Sequence, residues 1–248
     1  MDWTWGPADT WNATKHLLEG VAASLPEPPK ALLVVSGHWE EPTFTASASP
    51  EPQLIFDYSG FPEHTYRLTW PAPGSPELAS QAAALLTKAG LPAALSPTRG
   101  FDHGVFVPLK VAFPAAQIPT VTLSLASSLD PALHLAAGRA LAPLRDQGVL
   151  IIGSGMSFHN LRAYERPETQ RHARAFDAWL TEAVESPSAL RDESLTRWKD
   201  APYGRFAHPR EEHLIPLMVA AGAGGEAPGK RIFTDEPMNA AISAYRFD

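Results

Sequence analysis

Ala31-Leu-Leu-Val-Val-Ser-Gly-His-Trp39 is a continuous apolar, partly β-branched run of strand length that leads into a glycine and a histidine. A run without alternation is expected for a strand covered on both faces, and such strands belong to sheets flanked by helices. Val149-Leu-Ile-Ile152 has the same character and leads through Gly153-Ser-Gly155 toward His159. Around these two runs, strand and helix patterns alternate. Helices are expected over Trp11 to Ser24, Glu77 to Ala89, Gly104 to Val111, Pro131 to Arg145, Thr169 to Val184 and His213 to Ala221. Further strands are expected at Phe44 to Ala48, Ala94–Leu95, Thr120 to Leu125 (alternating) and Ile242 to Phe247, whereas Ser186 to Ala207 reads as polar and irregular. Ser75 and Pro76 have N-cap and first-turn chemistry, and Gly90 stops the helix that follows. The pattern predicts an α/β fold: a single domain over 1–248 with a central, mostly parallel or mixed sheet flanked by helices.

Composition narrows the function. No run approaches the roughly 20 apolar residues of a membrane span. The opening Met1-Asp-Trp-Thr-Trp-Gly6 lacks a basic and an apolar segment, so the expected location is the cytoplasm. The net charge of −7 and the lack of basic blocks argue against nucleic acid as a partner. The chain has no cysteine, so any metal must be held by nitrogen or oxygen ligands.

Four histidines stand where site residues belong in such a fold, at strand ends and helix starts: His38, His103 in Phe101-Asp-His-Gly104, His159 and His213. Taken singly, each could be an ordinary strand-end or turn histidine. His208 and His213 are five apart, which is not the i, i+4 spacing of a zinc-protease helix. Glu211 and Glu212 read as ordinary acidic residues at a helix start. The Gly153-Ser-Gly155 spacing is not that of a dinucleotide loop, and neither Ser154 nor Ser157 fits a nucleophile elbow. Trp39, Tyr58 and Phe61 suit either an aromatic pocket wall or a core.

Six strings occur in order: Val34-Val-Ser-Gly-His-Trp39, Phe56-Asp-Tyr-Ser-Gly-Phe-Pro62, Tyr66 through Pro71-Ala-Pro-Gly-Ser-Pro76, Gly100-Phe-Asp-His-Gly104, His159-Asn-Leu161, and His208-Pro-Arg-Glu-Glu-His213. Together they resemble the class III extradiol ring-cleavage dioxygenases, in the 4,5-DOPA dioxygenase-like branch. The resemblance implies a non-haem Fe(II) enzyme that opens a catechol ring with O₂. It places His38 and His213 at metal-ligand positions. His159 matches the acid/base histidine, which in some zinc-bound members also lies near enough to coordinate. His103 matches a histidine lining the substrate pocket.

One departure accompanies the resemblance. The family begins with a strand and a His-Gly loop that supplies a further ligand, ahead of the residues matching Met1-Asp-Trp. On that basis the expectation is a catalytic domain lacking this strand and loop, with an open edge left along Ala31–Ser36. The competing readings are a zinc-dependent hydrolase built on the same histidines, zinc also accepting three nitrogens and a water, and a truncated, inactive paralogue.

Overall fold

The computed structural model describes residues 7–164 and 166–248, so the chain start at Met1 lies outside the described residues. The chain divides into two compact units. One comprises Leu18–Ser128 and Ala140–Ser154; the other comprises residues 7–17, Leu129–Arg139 and Gly155–Asp248. The fold is α/β with a mixed, five-stranded central sheet.

The elements follow in the order α1 (Asn12–Ser24), β1 (Ala31–Glu41), β2 (Phe44–Ser47), α2 (Pro76–Lys88), β3 (Ala93–Ser96), α3 (His103–Ala112), β4 (Thr120–Ala126), α4 (Pro131–Leu141), β5 (Val149–Ser154), α5 (Thr169–Glu185), α6 (Ser188–Thr196), α7 (Gly204–Ala207), α8 (Ile215–Ala223), β6 (Lys230–Asp235) and β7 (Ile242–Arg246).

The central sheet lies in the first unit, in the order β3-β2-β4-β1-β5. β1 runs parallel to β4 on one side and to β5 on the other, with Val34 opposite both Thr122 and Ile152. The open edge expected along Ala31–Ser36 is therefore corrected: this strand is paired on both sides. β2 meets β4 antiparallel, and side chains supplement the backbone there. Thr45 N donates to Ser124 Oγ at 2.9 Å and Thr122 N donates to Ser47 Oγ at 2.8 Å.

β4 is a strand as expected, but its alternating pattern does not mark an exposed face, because every residue from Thr120 to Ala126 is buried. Small hydroxyl side chains can be buried at such positions when local carbonyls accept from them. Thr120 Oγ1 donates to Ile118 O at 3.0 Å.

α2 begins as its sequence dictates: the Ser75 side chain accepts from Leu78 N, Pro76 occupies the first turn, and Gly90 follows with φ of 78°. It packs on β2 and β3. α3 packs on β1. Pro108, inside α3, has no N–H to give the carbonyl four residues back. That carbonyl belongs to Gly104, and the Ser154 hydroxyl at the end of β5 donates to it instead.

α4 ends at Leu141 rather than continuing to Arg145. Pro143 disfavours helical geometry in the residue before it, and the chain tightens into a 3-10 turn over Ala142–Gln147.

The second unit contains α5, α8 and the antiparallel pair β6–β7. The stretch expected to be irregular contains α6. Its buried face is Arg191 and Leu195, continued by Trp198 in the next turn. An arginine in that row hid the helical period. Arg191 is 1% exposed and is satisfied by Asp192 Oδ1 and the carbonyls of Gly225 and Ala227. β6 was not anticipated, because its residues are mostly exposed and its strand character comes from pairing with β7. No described helix is long and apolar enough to cross a membrane.

The sheet predicts where truncation is costly. Leu123 in β4 is fully buried, whereas Leu95 on the edge strand β3 is 45% exposed. Leu123→Ala should lower unfolding free energy by about 2–5 kcal/mol, the range for a buried leucine truncation. Leu95→Ala should stay within about 0.5 kcal/mol of the parent. Urea denaturation of the two variants checks the contrast.

Candidate active site and metal-binding clusters

In the first unit, the register of β1 breaks just beyond its core segment. Val35 pairs with Leu123 and Glu40 with Leu125, so β1 takes five steps where β4 takes two. The extra residues form a bulge that carries Ser36 to Trp39, and bulges re-aim side chains next to functional sites. His38 leaves the bulge toward the start of α3, where its ring centroid lies 3.9 Å from that of His103. Between the two histidines stands Asp57. Its Oδ1 is 2.8 Å from His103 Nδ1 and its Oδ2 is 3.5 Å from His38 Nδ1. Asp57 Oδ1 also accepts from the backbone N–H of His103 at 3.0 Å, which satisfies the first turn of α3. Partial burial alone would raise the Asp57 pKa, but the hydrogen bonds and charge of His103 outweigh it and bring it down to about 2.

Aromatic residues stand beside this cluster. The Tyr58 ring meets His103 edge-on at 5.6 Å and Phe61 at 5.2 Å, and its hydroxyl donates to Thr65 O at 2.7 Å. Trp39 is buried. Its indole N–H donates to Glu41 Oε1 at 2.8 Å, and the Arg99 guanidinium lies 4.8 Å above its ring.

In the second unit, His213 lies in the turn before α8, not within it. Its ring stacks on that of His159 with centroids 3.4 Å apart and planes at 20°. The backbone holds both histidines. His159 N donates to Ala207 O at 3.0 Å, and Met156 N donates to His213 O at 3.0 Å. Gly155 is required for that approach, because a Cβ there would sit 2.1 Å from His213 O. Asn160 secures the neighbouring loop by donating to Phe206 O at 2.7 Å.

Glu212 completes this group, with Oε1 3.0 Å from His213 Nδ1 and 3.7 Å from His159 Nδ1. The two adjacent glutamates thus have different surroundings. Glu211 pairs with Arg205 at 2.7 Å and Lys199 at 3.3 Å, and these cations lower its pKa against the opposing effect of burial. Glu212, read from sequence as ordinary helix-start charge, stands against the histidines.

The two clusters have the same construction. His38, Asp57 and His103, and separately His159, Glu212 and His213, bring three ligand atoms within 4.8 Å of one another. A carboxylate at Nδ1 favours the tautomer protonated there and leaves the lone pair on Nε2, which is how outer carboxylates orient metal-binding imidazoles. Imidazole nitrogen and carboxylate oxygen, with no thiolate, suit Fe(II) and related first-row ions. Asp57 was missed in the sequence because its string, Phe56-Asp-Tyr58, was read for its aromatics.

Comparison with known proteins agrees with this chemistry. Residues 6–246 match the family model described as the catalytic LigB subunit of aromatic ring-opening dioxygenase. The chain is 42% identical over 202 residues to a 4,5-DOPA dioxygenase extradiol of Beta vulgaris, covering 80% of this chain and 74% of that protein. It is 40% identical over 230 residues to the dioxygenase tasH of Hapsidospora irregularis, covering 88% and 71% respectively. A crystal structure of an uncharacterized Escherichia coli K12 protein superposes with a TM-score of 0.78 at 30% identity, covering 93% of this chain and 90% of that one. The chain belongs to the LigB family of aromatic ring-opening dioxygenases. It is an extradiol dioxygenase, and therefore an oxidoreductase, of a metal-dependent family.

His208 gives the second unit a pH response. It is fully buried against Phe176 and Trp198, its Nε2 donates to Ser157 O at 3.0 Å, and its Nδ1 has no hydrogen-bond partner. Burial pushes its pKa down to about 4 from an ordinary 6.5, because a second N–H⁺ would be buried without an acceptor. The neutral form folds, so this contribution is fully present above about pH 6.5. It is lost as pH falls through about 4, to a total of about 3 kcal/mol by linkage. His208→Gln should flatten the decline of the urea midpoint between pH 6.5 and 4, and an unchanged decline would count against this account.

Proposed function

We propose that the protein opens the ring of a catechol of DOPA type with O₂, and that Fe(II) is its metal. The observation that carries this reading is the pair of histidine–carboxylate clusters, one of them flanked by aromatic rings at Tyr58 and Phe61. The names of the relatives, several of them 4,5-DOPA dioxygenases extradiol, support the substrate class. His38 and His213 are the proposed ligands, as the family resemblance implies, and each has a carboxylate at Nδ1. When bound, Fe(II) supplies Lewis acidity toward the catechol hydroxyls and electron exchange with O₂.

The remaining residues bind and move protons. His159, with Glu212 near its Nδ1, accepts a proton from a catechol hydroxyl and later returns it, as a positioned imidazole does near neutral pH. His103, fixed by Asp57 at both backbone and ring, presents a stable polar edge to the substrate oxygens. Tyr58 and Phe61 favour a flat ring over a peptide or phosphoester, and Trp39, which follows His38 and is buried beside Arg99, is the third proposed pocket residue. Zinc accepts the same donors, and the reaction that each loaded form catalyses separates the two metals.

Protein loaded anaerobically with Fe(II), then given DOPA and air, should take up O₂ and form a yellow ring-opened semialdehyde. His38→Ala and His213→Ala should each lose most bound metal. His159→Ala should keep its metal and lose turnover by roughly 10²–10⁴-fold, the range for a general acid–base group. Ester or amide hydrolysis by zinc-loaded protein, with no O₂ uptake by iron-loaded protein, would overturn the proposal.

A further inference from the structure

Asp102 immediately precedes α3, a place where an aspartate usually turns its carboxylate onto the helix's own first N–H groups. Here it makes no such bond. Its carboxylate is fully buried and points elsewhere: Oδ1 accepts from Ser36 Oγ at 2.7 Å and Oδ2 accepts from Arg99 Nη2 at 2.8 Å. Ser36 is also fully buried. Its oxygen accepts from the backbone N–H of His38 at 3.2 Å. The chain of contacts thus runs from α3, through two buried side chains, to the backbone of the bulge that carries His38.

Three further observations show that this link holds the site rather than merely filling space. Asp57 satisfies the first N–H of α3 by accepting from His103 N, and Asp102 meets Val105 N and Phe106 N through its backbone carbonyl, so the Asp102 carboxylate is left for Ser36 and Arg99. Gly104 lies between the parts: a Cβ there would stand 2.9 Å from His38 Cδ2, 3.0 Å from Ser36 Oγ and 3.2 Å from Asp102 Oδ1. Arg99, held by Asp102, covers the face of Trp39, the residue after His38. Toward β4 the bulge has no ladder partners between Val35 and Glu40, and toward β5 the pairing ends at Ser36 opposite Ser154, so the residues beyond it need other restraints. Here they come from buried polar side chains, whose bonds are directional and costly to break.

We propose that Ser36 and Asp102 are positioning residues that fix His38 against His103, so that the bulge presents the His38 imidazole to a metal ion in one geometry. This rests on His38 being a ligand, and the experiment tests both statements separately. Cobalt(II) is titrated into the full chain and into His38→Ala, Ser36→Ala, Asp102→Asn and a core control, Leu86→Ala, with the visible ligand-field absorption as readout. Leu86 is a buried residue of α2, the helix that packs on β2 and β3. Circular dichroism and thermal melting accompany each titration.

Ser36→Ala and Asp102→Asn should bind cobalt about 10–100-fold more weakly, the usual effect of losing an outer support of a metal ligand. Their absorption bands should also shift, which a uniform loss of stability would not produce. Leu86→Ala should melt earlier and bind cobalt as the parent does. If Asp102→Asn does not fold, Ser36→Ala, which removes one hydroxyl, decides the matter. Unchanged affinity in His38→Ala overturns the ligand assignment and the inference with it. Loss in His38→Ala alongside parental affinity and spectrum in the folded positioning variants overturns the inference alone. An equal loss of affinity in Leu86→Ala also overturns it, by reducing the effect to stability.

Discussion

The break in register between Val35 and Glu40 governs the first unit. From Leu32 to Val35, β1 is tied on both sides by backbone ladders and buried on both faces. A histidine inside such a strand would be locked into core packing. By gaining residues beyond Val35, the strand carries Ser36 to Trp39 out of register with β4 while both flanks stay anchored. The rigidity of the ladder is thereby passed to a side chain that must serve chemistry. Gly104 permits the close approach and Ser154 closes the carbonyl that Pro108 leaves open, so β1, α3 and β5 all converge on the same few residues.

Each histidine pair is organised around one carboxylate. Two imidazoles in contact offer the same kinds of group and have no strong reason to prefer one arrangement. A carboxylate between them breaks that degeneracy, because it accepts at Nδ1 and so sets which nitrogen carries the proton. Asp57 does this for His103 and Glu212 for His213, while the Nδ1 atoms of His38 and His159 lie 3.5 Å and 3.7 Å from the same two carboxylates. Fixing the tautomer also fixes the ring orientation, which is the requirement for a metal ligand and for a proton carrier alike.

Buried polar groups recur through both units, and several of them are fully paired. Arg191 is held by two carbonyls and a carboxylate, Asp102 by a hydroxyl and a guanidinium, and Ser47 and Ser124 accept backbone N–H groups across β2 and β4. Such bonds contribute modestly to net stability but penalise every alternative arrangement. His208 Nδ1 is an exception, and its isolation among apolar rings is what keeps that imidazole neutral.

The sequence by itself determined most of the element types, because their signals are local. Ser75-Pro76 and Gly90 delimit α2, the apolar runs mark β1 and β5, and glycine beside histidine marks His38 and His103. Six short strings were enough to indicate the family over nearly the whole chain. The tertiary structure alone decided what local signals do not contain. It paired β1 on both sides, buried every residue of β4, and gave β6 a partner in β7. It brought Asp57 to His103 across 46 positions and Ser36 to Asp102 across 66. It also separated Glu212 from Glu211, neighbours that no composition or periodicity distinguishes. The reason is physical: propensity and period report what a residue does to its own backbone, whereas the protonation, orientation and role of a polar side chain depend on which distant group folding sets against it.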